Sequence, residues 1–597
     1  MLLSLTSVHA HVTKENRQKI FPVGSSAYDA ITQLYIMEGM ALPSTTGPWS
    51  AKELDLMLSR INPDALGKDE RALYDYAYSQ IKEKARLNPN DILGFGLEGK
   101  INLKIMAHTN KLDFNNPDDW GDRDVYNPPD PFVEVPFETW IGNNVYGYID
   151  LALANSRSLI DMMSTESHDI GNGTSVSYIN YDSWVPVFTN VLFLTPADGF
   201  SDFDLNFPFR AFASLGDDWW NITLGRDRMS WGPGVTGNFA IGDHIPYHNN
   251  ARFTAFTDSF KYTFSASFFV HPMNYFKDNG EGIYYFDATY DQDASRNGVQ
   301  MFMAHRLEWR ILDKANIVLT EAVMYQNESG MVDPLVISPT TIFHNFYIRG
   351  NANSLLTLEV DYTPLKHWNI YAQFALDDIS MPGEATKGEA EPPSALAYML
   401  GSKVSFPYED GVIYGSIEGV YTDPWFYLRD SGERNGNKYG NSFIIAMPEW
   451  VNKNGYANYD LNYLGYKYGG DAAVFDIRAG YKKYGKWFME GSLTYIAHGT
   501  INLYTRPGNI VKGSYDDPKG LSTKHPSTGS YLYGADYEAM NAIEHTVITT
   551  LRGGYTLFKS LDIRASVSLI NVVNPDNIKE NPSTTDFQIT IGASYTF

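Results

Sequence analysis

The chain ends on an unbroken alternation. Phe587, Ile589, Ile591, Ala593, Tyr595 and Phe597 are apolar, while Asp586, Gln588, Thr590, Gly592, Ser594 and Thr596 are polar or tiny. Successive side chains of a strand point to opposite faces, so a period of two gives one apolar face and one wet face. The preceding segment repeats the pattern, with Leu561, Ile563, Ala565, Val567 and Leu569 set against Asp562, Arg564, Ser566 and Ser568. Val145 to Leu153, Phe260 to Val270 and Trp368 to Leu376 alternate in the same way. Such runs extend to about nine to twelve residues, longer than the usual strand and long enough to cross a bilayer at a tilt. Their connections fall into two classes. Short turns occur at Thr363–Lys366, Leu312–Ala315, Leu557–Ser560, Lys483–Lys486 and Pro407–Gly411, and long polar segments at Asp377–Pro393, Thr422–Tyr439 and Thr505–Asn541. A soluble sandwich also alternates, but this asymmetry is that of bacterial barrels, with short periplasmic turns and long outer loops. The pattern predicts an all-β transmembrane barrel over residues 94–597, with roughly 16–18 antiparallel strands at about 25–30 residues per strand and loop.

Ahead of the barrel, residues 26–88 carry a helical period. Tyr28, Ile31, Leu34 and Tyr35 recur at helix spacing and stop at Gly39, ahead of Pro43. Ser50-Ala51-Lys52-Glu53 is a capping box, with Trp49 and Leu54 placed as a hydrophobic staple; that helix should run to Ile61 and close at Pro63. A third, from Lys68 to Lys84, lines up Leu73, Tyr74, Ala77 and Ile81. A bundle this small needs a larger neighbour to pack against. The expectation is a bundle docked against something larger.

Composition agrees with the barrel. Aromatics make up 14% of the 597 residues, with 41 Tyr and 33 Phe, yet mean hydropathy is −0.30. Interface girdles of aromatics around a polar lumen reconcile these values. The chain has no Cys, which fits passage through an oxidising periplasm. A net charge of −24 argues against nucleic acid as a partner, since phosphate binding needs clustered Lys and Arg. Residues 1–10, ending Val8-His9-Ala10, read as the remnant of an export signal that lacks its basic region. No run of about 18 apolar residues exists, so a helical span is not expected.

Candidate chemistry is sparse. The nucleophile elbow, the zinc helix and the phosphate loop are all missing, so no catalytic residue, metal or cofactor is assigned. His244 and His248 are separated by Pro246 and read as loop residues rather than ligands. Asp291-Gln292-Asp293 lacks the later acidic ligand of a calcium loop, and Asp118, Asp119, Asp122 and Asp124 read as a solvated acidic loop. More distinctive is the run from Trp219 to Gly234. With Leu224 on the lipid side, Arg226 and Arg228 are expected to face the lumen just before the Trp231-Gly232-Pro233-Gly234 turn. Arg306, Glu308 and Arg310 form a same-face charge ladder on a later strand, as a braced lumen wall would. The outer loop holding Trp425, Tyr427 and Arg429 combines rings with polar groups, the composition of a sugar-stacking site or of an interface girdle.

The Leu224-Gly225-Arg226 to Gly234 run, followed by His248-Asn249-Asn250-Ala251-Arg252, resembles the Wzi family of capsule-assembly proteins. So does Pro48-Trp49-Ser50 leading into a small helical bundle before a long barrel. Terminal Phe597 on its alternating strand resembles the assembly signal of outer-membrane barrels, read by the barrel-insertion machinery. The family resemblance implies a barrel of about 18 strands in the outer membrane of a Gram-negative-type bacterium. It further implies a bundle at the periplasmic end, loops occluding the lumen, and a lectin-like, non-enzymatic role towards capsular or other surface polysaccharide. Outer-membrane lipid and lipopolysaccharide are the surrounding partners. A porin or substrate-specific channel, and an outer-membrane lipid-modifying enzyme, remain the alternatives.

Overall fold

In lipid every strand N–H and C=O must find a partner, and a sheet closed on itself supplies them all. The protein, seen in a computed structural model, does this with eighteen antiparallel strands, at the upper end of the expected number. The structure describes residues 16–109 (apart from 84, 86, 88, 90 and 91), 133–154, 164–169, 175–180, 187–189, 204–206 and 210–270. It further describes 276–278, 284–286, 299–327, 352–378, 395–429, 442–451, 457–503, 505, 520–524, 540–558 and 560–597.

The barrel strands are β1 (Lys100–His108, preceded in the same register by Leu93–Leu97), β2 (Val133–Ile141), β3 (Val145–Ala154), β4 (Ala211–Gly216), β5 (Trp220–Asp227) and β6 (His248–Phe256). Next come β7 (Phe260–Val270), β8 (Val299–Leu312), β9 (Ala315–Asn327), β10 (Ala352–Leu365), β11 (Trp368–Asp378) and β12 (Ala395–Tyr408). The last six are β13 (Gly411–Thr422), β14 (Ala472–Lys483), β15 (Trp487–His498), β16 (Glu544–Leu557), β17 (Leu561–Val573) and β18 (Thr584–Thr596). Each pairs with the next, and β18 closes on β1 from Thr596↔Lys100 to Gln588↔His108. Alternation sorts the faces as the pattern requires. On β8, Leu307, Trp309 and Ile311 are exposed to the lipid side; on β7, Thr263, Ser265 and Ser267 are enclosed within.

Short turns gather at one end, at 257–259, 313–314, 366–367, 409–410 and 484–486, and the helices sit there. Helix α1 (Ser26–Glu38) starts where the Ser25 hydroxyl accepts from Tyr28 N and stops at Gly39 in a left-handed conformation. Helix α2 (Ala51–Ser59) carries the expected capping box but ends two residues before Ile61, ahead of a 3₁₀ turn at Pro63–Ala65. Helix α3 (Lys68–Ile81) stops short of Lys84. Ile31, Leu34, Trp49, Leu54, Leu73 and Ala77 share a buried core with Val412 of the barrel wall, and Tyr414 and Tyr484 pack against it. Turn-to-bundle hydrogen bonds fix the dock, with Ala41 N donating to Asp313 O (2.8 Å) and His367 N to Ile36 O (2.7 Å). Residues 1–10 lie outside the described residues.

Candidate functional site

The lumen holds a second hydrophobic core. Between β5 and β6 the chain turns inward, and Ser230–Trp231 pairs with Thr46–Gly47 from the α1–α2 connection. Gly232 N donates to Thr45 O (3.0 Å). Gly232 has φ 140°, and a Cβ there would overlap the side chains of Asn238 and Gln373, so only glycine fits. Asn238 Oδ1 accepts from Gly234 N (2.9 Å) and from Gln373 Nε2 (2.8 Å). The Glu418 carboxylate on β13 accepts from Val235 N and Thr236 N (both 2.9 Å), from the Thr236 hydroxyl (2.5 Å) and from the Tyr371 hydroxyl (2.7 Å). The Trp-Gly-Pro-Gly turn is thereby bolted to the wall by charge-assisted hydrogen bonds.

The loop after β13 folds onto this turn. Tyr427, fully buried, donates its hydroxyl to Phe239 O (2.5 Å) and accepts from Tyr466 N (2.8 Å), while its own N–H donates to Asp377 (2.8 Å). Phe239 meets Phe426 and Tyr466 edge-on, at 5.8 Å in each case. With Met229, Trp231, Ile241, Ile245 and Tyr463 they form one core, which also takes in Ile548, Ile570 and Val572 from the wall. At the end away from the helices Asp471, just before β14, accepts from Ser522 N (2.7 Å) and Ile501 N (2.9 Å). Burial pushes its carboxyl up to about 7, against the lowering effect of those two N–H groups.

The charge ladder faces inward and grips the N-terminal segment. Arg306, 1% exposed, donates to Thr46 (2.6 Å), Thr45 (2.7 Å) and Glu359 (2.9 Å). Glu308 accepts from the hydroxyls of Ser44 and Thr46. Arg310 donates to Leu42 O (2.6 Å) and to Ala41 O.

Other expected site residues stand elsewhere. Arg226 is not in the lumen. Residues two apart on a strand share a face, so Leu224, 56% exposed, takes Arg226 with it to the outside. There the guanidinium donates to Asn249 (2.9 Å) and lies 4.2 Å over the Tyr247 ring. Arg228, past the end of β5, donates to Asp243 O (2.6 Å). Arg210–Asp227 (2.8 Å) forms a half-buried to buried ion pair at this level instead. Trp231, Trp425 and Tyr427 are at most 2% exposed, so they are core residues rather than a surface platform for a sugar ring. Arg429 donates to Asn353 (3.1 Å), and the loop beyond it, 430–441, lies outside the described residues. So do Asp118–Asp124 and Asp291–Asp293. His244 is bonded to Tyr463 O, His248 is enclosed beside Phe269, and no group of metal-ligating side chains occurs among the described residues. Phe597 is 66% exposed at the short-turn end, paired through its backbone with Gly99. Glu418 and Asp471 escaped sequence reading. The inward parity of Glu418 was the one available signal, and it does not say what the carboxylate meets.

The fold is that of an outer-membrane β-barrel with its loops and leading segment folded into the lumen. No family model matches the sequence, and no curated protein does. Among solved structures it is similar to Wzi of Escherichia coli, an outer-membrane protein involved in group 1 capsule assembly and described as a carbohydrate-binding β-barrel. The TM-score is 0.53 and the identity 13%, covering 98% of this chain and 100% of that one. The outer-membrane channel DcaP of Acinetobacter baumannii gives a TM-score of 0.33 at 11% identity, over 86% and 100% of the two chains. OprD of Pseudomonas aeruginosa gives 0.36 at 9%, over 84% and 95%. At these identities the likeness is one of fold.

Proposed function

We propose that this is a Wzi-like protein of the Gram-negative-type outer membrane that binds or organises capsular or other surface polysaccharide, without catalysing a reaction. The observation that carries the reading is the lumen core. Four separate segments, around Trp231, Tyr427, Tyr463 and Leu503, bury apolar side chains against one another inside the barrel. A conduit keeps a wetted path, whereas a scaffold for outer loops gains rigidity from such a core. Wzi, with which the chain shares its fold over nearly its whole length, is a carbohydrate-binding barrel, and that supports the same assignment. Surface glycan is the proposed ligand. Outer-membrane lipid and lipopolysaccharide are the proposed surroundings, and the barrel-insertion machinery is the proposed reader of Phe597. Deleting the protein should release glycan from the cell surface without stopping its synthesis. Full retention of glycan in the null strain would refute the assignment.

One observation favours a channel. Towards the short-turn end of β17 the inward-facing Arg564 is exposed and Asp562 is half-buried, so that side of the lumen is open to water. The pure protein in planar bilayers decides between the readings, and steady single-channel conductance of the wild type would select the channel.

A further inference from the structure

At the short-turn end, α1 and the Trp-Gly-Pro-Gly turn do not meet. Between them lies a cavity of about 370 Å³, within the size range of small-molecule sites. Tyr28 and Gln33 of α1 form its floor, Pro233 and Asn238 its roof, and Lys403 and Ser416 part of its wall. We propose that this cavity is a binding site for an uncharged, hydroxyl-rich small molecule, reached from the bundle side and separate from any outer-loop glycan contact.

The charge inventory selects that class. Asp29 is held by Lys482 (2.7 Å) and the Tyr484 hydroxyl (2.8 Å), and Arg478 by Asp476 (2.8 Å). Glu490 is held by Arg552 (2.6 Å) and the Tyr414 hydroxyl (2.7 Å). Lys403 donates to Pro233 O (2.5 Å) and lies 4.8 Å over the Tyr371 ring, and the Glu418, Asp361 and Glu359 carboxylates supply opposite charge around it. Because Asp29, Arg478 and Glu490 already hold ion-pair partners, an ionic ligand would enter a space with little opposite charge left to offset its desolvation cost. A purely apolar ligand would strand the amides and hydroxyls that line it. Unpaired hydrogen-bonding capacity remains, because Gln33 Oε1 is enclosed and has no partner. The stacked Tyr28–Trp49 pair (3.6 Å between ring centroids) adds a rigid aromatic edge. Neutral hydroxyls alongside aromatic carbon satisfy both halves of such a lining.

The test uses the full chain in detergent and saturation-transfer NMR. Maltose is the neutral probe, with glucuronate and glucosamine as the charged ones. Maltose should give a signal that the charged sugars do not match. Ser416→Phe, which fills the cavity from the wall, should abolish it. Gln33→Ala, which removes the unpaired acceptor, should weaken maltose binding roughly tenfold, the loss expected for one hydrogen bond. Both variants are first checked for the heat-dependent gel shift of a closed barrel; if Ser416→Phe does not assemble, Gln33→Ala decides. The proposal is overturned by no maltose signal in the wild type, by unchanged maltose binding in the assembled variants, or by charged probes binding as well. Because the surface reading is tested by glycan release from cells, either can fail without the other.

Discussion

Removing the Glu418 carboxylate should open the lumen. In Glu418→Ala, the backbone N–H groups of Val235 and Thr236 lose their acceptor at 2.9 Å, as do the hydroxyls of Thr236 and Tyr371. A hydrogen bond to a charged group contributes about 1.5–3 kcal/mol, and a buried donor left without an acceptor costs a similar amount. The two hydroxyls can rotate to other acceptors, but the two backbone donors are fixed. Counting only those, the docked turn should lose about 3–6 kcal/mol relative to its released state. At tenfold per 1.4 kcal/mol, the released population rises by roughly two to four orders of magnitude. Glu418→Gln keeps an acceptor oxygen but loses the charge and turns an NH₂ towards donors, so it should fall between the two. Two assays read this: proteolysis of segment 229–247 in the folded barrel, and ion conductance in planar bilayers. Glu418→Ala should gain cleavage and conductance while keeping the gel shift of a closed barrel. Wild-type protease resistance and conductance in an assembled Glu418→Ala protein would refute the idea that this carboxylate holds the turn in the lumen.

Further tests follow from other contacts. Deleting Phe597 removes an exposed ring and a backbone pair with Gly99, so outer-membrane levels should fall far more than the thermal stability of whatever protein assembles. Tyr427→Phe leaves Phe239 O and Tyr466 N without their shared hydroxyl and should destabilise the lumen core by about 1–3 kcal/mol in thermal melts, with glycan retention tracking protein level. Asp471 titrates near 7 in the fold and near 4 when unfolded, so its contribution to stability is complete below about pH 4 and is lost as pH rises through 7. Hydrogen exchange at Ile501 and Ser522 should therefore be slower at pH 5 than at pH 8 once corrected for intrinsic rates, and Asp471→Asn should flatten that difference. Arg226→Ala should leave the lumen sealed, since its guanidinium lies outside; new conductance in that variant would contradict the register of β5.

Much of this architecture is legible in sequence because it depends on local periodicity. Eleven of the twelve alternating residues at the C-terminus fall within β18, and the five short turns fall at strand ends on the bundle side. The Ser50–Glu53 box caps α2 because both halves of the motif lie within one turn of chain. Helix ends were less legible. Lys82 to Lys84 could extend α3 by propensity, yet the helix stops at Ile81, the last of its buried residues.

The candidate site was legible only in part. Parity puts Arg306, Glu308 and Arg310 on one face, opposite Leu307, Trp309 and Ile311, and the structure turns that face towards the N-terminal segment. The same rule, counted from Leu224, sends Arg226 outward. Trp231, Trp425 and Tyr427 were singled out as rings in loops, but whether a loop ring meets solvent or another loop is decided by contacts across some 200 residues, such as Tyr427 with Phe239. Sequence by itself determined the barrel, the alternating polar positions of its inner face and the small helical bundle ahead of it, since each follows from patterns repeated within a few residues. Tertiary structure alone decided that the loops turn inward, that Glu418 meets Val235 and Thr236, and that a cavity remains beneath them, because packing between distant segments has no period to read.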